Sequence, residues 1–257
     1  MVPDRVRRRA HLVGELSGMP SLVRMPFTDS TMDVLHGLAA DGAEAGTVVV
    51  AAEQGIGRGS RGRGWQSPPG GLWLSALFRP RAAAGVELFG LRIGLAIADA
   101  IEALGPGVPV DIKWPNDLMV GELKLGGILC EARWQGDSLG WVVAGIGINV
   151  ANPIPRELAG TATNLADRLP GITPELVEPQ VTARLRALEP PSERLNPAEL
   201  ATLRQRDWLC GRRLLGPARG TAAGISDEGA LLVRPDRGGT VAVRAGTVEL
   251  ADHSFTP

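Results

Sequence analysis

In the first part of the chain, the spacing of apolar residues predicts two helices and two strands. A polar, cap-forming cluster before Met32 predicts the start of a helix that ends near Gly42. The apolar, partly β-branched runs 47–53 and 72–78 predict buried strands. Apolar residues at spacings of three and four over 86–104 predict a helix packed on the core.

The middle of the chain predicts three more strands, followed by two helices. The strands are expected over 110–114, 124–131 and 141–150, with a polar turn between the last two. The helices are expected over 176–188 and 197–206, separated by a pair of prolines. Strands and helices together indicate a mixed fold of the α+β class.

The pattern changes after Trp208. Short strands separated by Gly, Asp and Pro predict a small all-β module, of the size of an SH3-like barrel. We therefore divide the chain into an N-terminal arm (1–25), a main domain (26–206) and a C-terminal module (207–257).

Composition narrows the class of protein. Hydrophobic residues make up 44% and charged residues 21% of 257 residues, and the formal net charge is −1. This composition is typical of a globular protein, and the charge excludes a strongly basic nucleic-acid binder. The longest apolar helix is interrupted by charged residues, so no membrane-spanning helix is predicted. Cys130 and Cys210 cannot build a disulfide framework, which favours a reducing, cytoplasmic compartment.

The first residues of the chain, Met1–Arg9, are strongly basic. No long apolar run with a small-residue cleavage site follows them, so the segment does not fit a secretory signal. We expect a frayed arm, and contact with nucleic acid through it is the weaker alternative.

Lysine is nearly absent from the chain. Only Lys113 and Lys124 occur, and every other member of the 27 Lys and Arg residues is an arginine. Lysine is a compact charge on a flexible stem and arginine is a planar fork, so the two differ wherever geometry matters. The two lysines are therefore candidate functional residues, the alternative being that both are chance survivors of a coding bias.

Residues 55–65, which follow the predicted strand 47–53, are rich in glycine and arginine. We call this segment the glycine loop. Gly57, Gly59 and Gly62 fit G-x-G-x-x-G, but the proline-containing sequel cannot form the helix that a dinucleotide site requires. The loop also lacks the Gly-Lys-Ser/Thr of a phosphate-binding P-loop. It is too short and too closely bracketed by strands to favour a disordered RNA-binding tract.

What remains is a mobile, cationic loop that folds over an anionic ligand, the alternative being a solvated surface loop. Arg58, Arg61 and Arg63 offer planar donors to phosphate or carboxylate groups. Trp65 offers a flat apolar surface beside them.

Three further segments bring polar groups or glycines to strand ends. Residues 113–118 (K-W-P-N-D-L) place a lysine, an amide and a carboxylate at one turn. Residues 124–131 begin with a lysine and contain a glycine pair that allows close approach of a ligand or backbone. Residues 145–150 repeat the glycines and include Asn149, a donor and an acceptor. Taken singly, each segment is more often a turn or a packing site.

Taken together, the segments resemble one family. The motifs G-R-G-x-x-G-R-x-W, K-W-P-N-D-L, K-L-x-G-I-L-x-E and G-I-G-I-N-V occur in the order found in the biotin protein ligases, also called biotin–[acetyl-CoA-carboxylase] ligases. The resemblance covers about residues 27–257. Bifunctional members carry an N-terminal helix-turn-helix domain, for which the residues before Phe27 are too few, so the chain resembles the single-function form.

The resemblance implies a fold and a reaction. The fold is a mixed, largely antiparallel sheet with flanking helices, plus a C-terminal SH3-like β-barrel. The enzyme would join biotin to ATP, with Mg²⁺, to give biotinyl-5′-AMP, and then transfer the biotinyl group to a lysine of a biotin carboxyl carrier protein. No specific DNA binding, no membrane contact and no metal ligand from the protein are expected, and homodimer formation is left open.

The resemblance also implies site residues. Those expected at biotin are Ser30, Thr31, Gln54, Arg58, Gly59, Ser60, Trp65, Lys124 and Gly126. Those expected at ATP or the adenylate are Arg61, Arg63, Trp65, Asn116 and Asn149. Those expected to act in catalysis are Arg58, Lys113, Asp117 and Lys124.

Two positions depart from the family pattern. Met32 stands where an asparagine often follows the Ser-Thr pair, which puts that contact with biotin in doubt. Ser60 stands where the family usually has a second loop arginine, which helps to order the loop over the adenylate. Arg61 is a candidate substitute for it; otherwise the enzyme retains the intermediate less tightly.

Two alternatives stay open at the level of sequence. A lipoate or octanoyl ligase or transferase of the same fold would also place a lysine near the acyl carboxylate, although lipoate ligases lack K-W-P-N-D. A regulator that senses biotin or a nucleotide and binds DNA through its basic arm belongs to a different class. The near-zero net charge and the missing helix-turn-helix argue against the regulator.

Overall fold

The computed structural model describes residues 20–188 and 192–251. The basic segment Met1–Arg9 and the proline pair Pro190 and Pro191 lie outside the described residues. Within those ranges the chain forms a seven-stranded sheet with helices on both faces, followed by a five-stranded sheet.

The seven-stranded sheet is mixed and largely antiparallel, as predicted. Its strands are β1 (Leu22–Met25), β2 (Val48–Ala51), β3 (Leu72–Phe78), β4 (Asp111–Lys113), β5 (Asp117–Val120), β6 (Leu123–Gln135) and β7 (Ser138–Ile148). Their order across the sheet is β1-β2-β3-β7-β6-β5-β4. Only the pair β1–β2 is parallel among these described strands.

In the described part of the chain, four α-helices flank the sheets: α1 (Thr31–Ala40), α2 (Phe89–Glu102), α3 (Pro174–Arg186) and α4 (Pro197–Gln205). Ser30 is the N-cap residue of α1. Asn196 caps α4 by accepting a hydrogen bond from the backbone N–H of Glu199, whose side chain accepts from the N–H of Asn196 in return. A proline at the first position of α3 and of α4 fits a helix start, because no intrahelical hydrogen bond is lost there.

The hydrophobic core lies on both faces of the large sheet. Val48 packs with α2 and Val49 packs with α1, because successive residues of a strand point to opposite faces. Ile93, Ile97 and Ile101 of α2 are fully buried at spacings of four, which is the helical period of the predicted core helix. The two layers fix the central strands β6 and β7, which carry the K-L-x-G-I-L-x-E motif and the start of the G-I-G-I-N-V motif.

The five-stranded C-terminal sheet contains β8 (Arg213–Gly216), β9 (Gly220–Ile225), β10 (Leu231–Arg234), β11 (Val241–Val243) and β12 (Glu249–Leu250), in the order β11-β10-β9-β8-β12. All its neighbouring strands are antiparallel. Leu214 and Leu231 share a hydrophobic cluster with Leu91 and Leu95 of α2. The C-terminal module therefore packs directly against the main domain.

The structure corrects the prediction at several element boundaries. The arm predicted over 1–25 is wrong for residues 22–25, which form β1 because their backbone pairs with β2. The helix predicted over 86–104 begins with a short 3₁₀ turn, and its α-helical part starts at Phe89. Strand β5 was missed, because it starts at Asp117 inside the segment that the sequence assigned to a turn.

Candidate active site

One cavity of about 950 Å³ lies between the glycine loop, the strands β4–β7 and the segment that follows β7. Its volume is at the upper end of the usual range for small-molecule sites, about 300–1,000 Å³. Every predicted site residue lines it except Arg61 and Gly126: Ser30, Thr31, Gln54, Arg58, Gly59, Ser60, Arg63, Trp65, Lys113, Asn116, Asp117, Lys124 and Asn149. Motifs that are far apart in the chain thus share one chamber.

The glycine loop is a narrow hairpin. The backbone N–H of Trp65 donates to the carbonyl of Gly57 at 2.8 Å, and that of Gly59 donates to the carbonyl of Arg63 at 2.8 Å. A Cβ atom at residue 57 would collide with the carbonyl oxygen of Trp65, so this close approach requires glycine. The guanidinium of Arg63 donates to the carbonyl and the hydroxyl of Ser60 across the hairpin.

Arg58 connects the glycine loop to two carboxylates. Its Nη1 donates to Oδ1 of Asp33 in α1 at 2.6 Å, and its Nη2 lies 3.5 Å from Oε1 of Glu131 in β6. The Nε atom is buried and has no hydrogen-bond partner among the described residues. Because a buried donor without an acceptor is costly, this N–H is a group that a ligand oxygen can satisfy.

Thr31 and Gln54, which line the cavity, belong to a hydrogen-bonded chain of uncharged side chains. Gln54 Oε1 accepts from the backbone N–H of Thr31 at 2.9 Å and from its hydroxyl at 3.0 Å. Gln54 Nε2 donates to the hydroxyl of Ser67 at 2.8 Å, and the hydroxyls of Thr31 and Ser75 lie 2.8 Å apart. These bonds hold the start of α1 against β3 and orient polar groups toward an uncharged, polar part of a ligand.

Lys124 lines the cavity from the start of β6. Its Nζ donates to Oδ1 of Asp117 at 2.6 Å and lies 5.2 Å from the centre of the Trp65 ring. The backbone of Lys124 pairs with the segment after β7, since its N–H donates to the carbonyl of Thr161 and its carbonyl accepts from Thr163. The carboxylate and the ring therefore hold the ammonium group, and the backbone hydrogen bonds hold the residue that carries it.

Lys113 supplies the second ammonium group from the end of β4. Its Nζ lies 4.9 Å from the centre of the Trp208 ring. Burial lowers the pKa of Lys113 below its ordinary value, and the nearby charge of Asp117 opposes that change. An anion in the cavity would therefore favour the charged form of this lysine.

Two predicted amides form part of the wall. Asn116 Nδ2 donates to the carbonyl of Ile128 at 2.7 Å, which ties the turn after β4 to β6. Asn149 Nδ2 donates to the carbonyl of Thr163 at 3.1 Å, and its Oδ1 accepts from Asn152. Both side chains hold backbone segments in place while they line the cavity.

Comparisons with known proteins show the family to which the chain belongs. The family model described as "Biotin/lipoate A/B protein ligase family" matches residues 24–149. The biotin–[acetyl-CoA-carboxylase] ligase of Mycobacterium tuberculosis is 33% identical over 261 residues, which span 95% of this chain and 94% of that protein. The chain belongs to the biotin/lipoate A/B protein ligase family.

Solved structures of biotin protein ligases share the fold of this family member. A biotin protein ligase from Aquifex aeolicus, in complex with biotin and ATP, matches with a TM-score of 0.75 and 28% identity, covering 91% of this chain and 100% of that one. A biotin protein ligase from Leishmania major, in complex with biotinyl-5-AMP, matches with a TM-score of 0.61 and 28% identity, covering 88% and 100%.

In this member of the biotin/lipoate ligase family, two predicted site residues lie away from the cavity. A Cβ atom at Gly126 would lie 2.5 Å from the carbonyl oxygen of Gly147, so this glycine allows β6 and β7 to pack closely. Its neighbour Gly127 lines the cavity instead. Arg61 lies at the tip of the glycine loop with a left-handed backbone (φ 62°), and its side chain is exposed.

The glycines of the G-I-G-I-N-V motif make room for cavity residues. A Cβ atom at Gly145 would lie 2.5 Å from Sδ of Met32, and one at Gly147 would lie 2.6 Å from Nε1 of Trp65. Met32, the departure from the family pattern, therefore fills a space that Gly145 leaves open. The glycines of this motif therefore shape the cavity wall by leaving space for neighbouring side chains.

One wall of the ligase cavity and one residue at the domain junction were not predicted from the sequence. The missed wall is the segment after β7: Asn152, Pro153, Ile154, Pro155, Glu157, Leu158, Gly160, Thr161 and Ala162. Gln66 Nε2 donates to Oε1 of Glu157 at 3.2 Å, which joins this wall to the sequel of the glycine loop. The missed junction residue is Trp208, which was noted only as a boundary. The Asn-Pro-Ile-Pro run after Asn149 was the available signal for the wall.

The described residues contain neither a metal-binding cluster nor a membrane-spanning helix. No group of three or more His, Cys, Asp or Glu side chains there could hold a metal ion. In the same ranges, no helix has both the length and the apolar character needed to cross a bilayer.

Proposed function

We propose that the protein is an ATP-dependent ligase that activates biotin as biotinyl-5′-AMP and transfers the biotinyl group to a lysine of a biotin carboxyl carrier protein. The observation that carries the proposal is the position of the two lysines. Lys113 and Lys124, the only lysines in the chain, line the same cavity as Arg58 and Trp65. The names of the related proteins and the ligands of the related structures support the same reaction.

The first step needs a cluster of cations. A carboxylate oxygen of biotin attacks the α-phosphorus of ATP, an acyl–oxygen–phosphorus bond forms, and the bond to the β-phosphate oxygen breaks to release pyrophosphate. Two anions approach each other in this step, so fixed positive charge lowers its barrier. Arg58, Lys113 and Lys124 supply that charge from three different elements, and Arg63 adds a fourth cation on the glycine loop.

The second step needs access for an amine and protection from water. The neutral amine of the carrier lysine attacks the acyl carbon, a C–N bond forms, and the acyl–oxygen bond breaks to release AMP. The proton lost by the amine leaves to water past Asp117, whose carboxylate orients the incoming lysine. The glycine loop, with Trp65 at its end, covers the adenylate and limits its hydrolysis.

The biotin part and the nucleotide part of the ligand bind at opposite ends of the cavity. Thr31 and Gln54 hold the uncharged ureido end of biotin, with Ser30 beside them, and Ser67 orients the Gln54 amide by accepting its hydrogen bond. Asn116, Asn149 and the apolar wall after β7 hold the nucleotide. In this arrangement Lys124 holds both the biotin carboxylate and the phosphate.

Mg²⁺ enters with ATP in this proposal. The described side chains include no cluster that forms a magnesium site of its own, and Mg²⁺ is commonly bound through substrate phosphates and water.

The partner and compartment follow from the same reaction. The partner is the biotin carboxyl carrier protein of a carboxylase, and the compartment is the cytoplasm. The two cysteines are free, and burial raises the pKa of the Cys130 thiol to about 12, which keeps it unreactive. We propose that the main domain ends at residue 206 and that the C-terminal module, which packs on α2, begins at residue 207.

The test must distinguish biotin ligation from lipoate ligation, the alternative reaction. Pyrophosphate release is measured with Mg-ATP and either biotin or lipoate as the acid. We expect release with biotin and none above background with lipoate. Release with lipoate alone would contradict the proposal, and release with neither acid would contradict adenylation as such. A gel-shift assay at several salt concentrations tests DNA binding, which we do not expect.

A further inference from the structure

Trp208 lies where the C-terminal module meets the cavity, and two cations lie over its ring. Lys113 Nζ is 4.9 Å from the ring centre, and the Cζ atom of Arg212 is 3.7 Å from it. Trp208 itself lines the cavity. An aromatic face attracts cations, more strongly where water is excluded.

The ring of Trp208 is held rigidly. Only 6% of the residue is exposed. Its Nε1 donates to the carbonyl of Gly121 at 2.7 Å, and its backbone N–H donates to the carbonyl of Ile112 at 3.1 Å. Trp208 is therefore bonded to both sides of the β4–β5 hairpin, which carries Lys113.

The second cation at the ring is neutralised by a carboxylate. Nη1 and Nη2 of Arg212 donate to the two carboxylate oxygens of Glu122 at 2.9 and 2.5 Å, and its Nε donates to the carbonyl of Trp208 at 2.7 Å. The bidentate pair anchors Arg212. Lys113, by contrast, projects into the cavity with the indole beside its ammonium group.

We propose that Trp208 is a positioning residue of the ligase: its indole ring holds the ammonium group of Lys113 over the part of the cavity that receives the phosphates of ATP. The inference rests on the proposed function. A free lysine side chain populates many rotamers. A fixed contact for its ammonium group therefore reduces the side-chain conformational entropy that is lost when ATP binds. The C-terminal module thereby acts on ATP through Lys113, a side chain of the main domain.

The test measures ATP–pyrophosphate exchange in the full chain with biotin present. Trp208→Leu removes the ring, and Trp208→Phe keeps an aromatic face without the Nε1 hydrogen bond. We expect Trp208→Leu to raise KM for ATP roughly tenfold, the scale of one desolvated cation–π contact, with KM for biotin nearly unchanged. Trp208→Phe should recover most of the loss. Trp134→Leu, at a 56% exposed tryptophan near the β6–β7 turn, is the matched control and should match the unmodified protein.

A double-mutant cycle separates positioning from a structural role. In a Lys113→Ala background, Trp208→Leu should change KM for ATP by less than about twofold, because the lysine through which it acts is gone. A tenfold rise that persists without Lys113 would overturn the inference, as would equal rises in KM for ATP and for biotin. If Trp208→Leu does not fold, Trp208→Met takes its place in the cycle with the same expectations.

Failure of the proposed function would be recognised in the same assay. The unmodified protein would then show no exchange with biotin, whatever residue stands at 208. Normal exchange by the unmodified protein, together with an unchanged KM for ATP in Trp208→Leu, would overturn the positioning role alone.

Discussion

Lys124 Nζ lies 2.6 Å from Oδ1 of Asp117, in a cavity that also holds the ring of Trp65. The compact ammonium group fits between the carboxylate and the ring face, at 5.2 Å from the ring centre. A guanidinium group is wider and planar, and it cannot occupy this position without displacing one of the two neighbours.

Replacing Lys124 by arginine is therefore expected to remove most adenylate formation. We predict a loss of about 100-fold in kcat/KM for pyrophosphate release, equivalent to about 2.7 kcal/mol of a charged contact. Arg237→Lys, the reverse exchange at an exposed position, is the control and should leave the rate unchanged. Near-normal pyrophosphate release by Lys124→Arg would count against the role of this lysine.

Ser60 tests how tightly the glycine loop holds the intermediate. An arginine at this position would add a cation to the cavity wall, so Ser60→Arg is expected to slow the release of biotinyl-adenylate. We predict a decrease of about fivefold in the rate at which free adenylate appears in solution, from one added hydrogen bond of about 1 kcal/mol. Ser138→Arg, at the exposed β6–β7 turn, is the control. Equal leakage from Ser60→Arg and the unmodified protein would defeat the idea.

Gly147 tests whether the family glycines make space for the ligand wall. A Cβ atom there would lie 2.6 Å from Nε1 of Trp65. Gly147→Ala is expected to displace the Trp65 ring, to lower the free energy of unfolding by about 1–3 kcal/mol, and to weaken adenylate formation. Thermal unfolding and pyrophosphate release check both effects. Gly239→Ala is the control, because a Cβ atom at Gly239 meets no other atom within 4 Å. Equal behaviour of the two variants would contradict this role.

His36 makes the stability of the fold depend on pH. Its Nδ1 accepts from Nε1 of Trp141 at 3.0 Å, and in that tautomer its Nε2 donates to Oε2 of Glu131 at 3.1 Å. Burial, aided by the charges of Arg133 and Arg58 and opposed by Glu131, lowers the pKa of His36 below its ordinary 6.5. The unfolded chain then binds the proton more readily, so stability should fall as the pH drops below 6.5 and level off below the folded pKa.

The replacement His36→Gln isolates this effect, because glutamine offers one acceptor and one donor but does not titrate in this range. We predict a smaller decrease in the free energy of unfolding between pH 7.5 and 5.5 than in the unmodified protein. The difference is at most about 1.4 kcal/mol per pH unit, the limit for one proton. Denaturant titrations at several pH values measure it. Parallel pH dependences for both proteins would contradict the assignment to His36.

The sequence predicted most of the large sheet, because central strands are long apolar runs. The strand predicted over 72–78 has the observed bounds of β3, since this strand is buried on both faces. β1 was missed because it is a four-residue edge strand whose partner β2 is parallel and follows only after α1. The apolar residues of β5 were missed because the K-W-P-N-D-L segment was interpreted as a single turn.

Much of the cavity could be predicted because its residues come in motifs. Lys113 and Lys124 stood out from composition alone. The wall after β7 was missed although an Asn-Pro-Ile-Pro run marks its start, because it joins β6 through backbone hydrogen bonds of Lys124 that have no side-chain signature. The contact of Trp208 with Lys113 depends on how the C-terminal module packs on the hairpin, and the spacing of residues in the chain does not encode it.

Intact mass measurement of a carrier domain tests the proposed biotin ligation most directly. The protein is incubated with biotin, Mg-ATP and a biotin carboxyl carrier domain, beside a sample without ATP and a carrier whose acceptor lysine is replaced. We predict that the intact carrier gains the mass of one biotinyl group only when ATP and the acceptor lysine are both present. An unmodified carrier in the complete mixture, or modification that does not need ATP, would contradict the account.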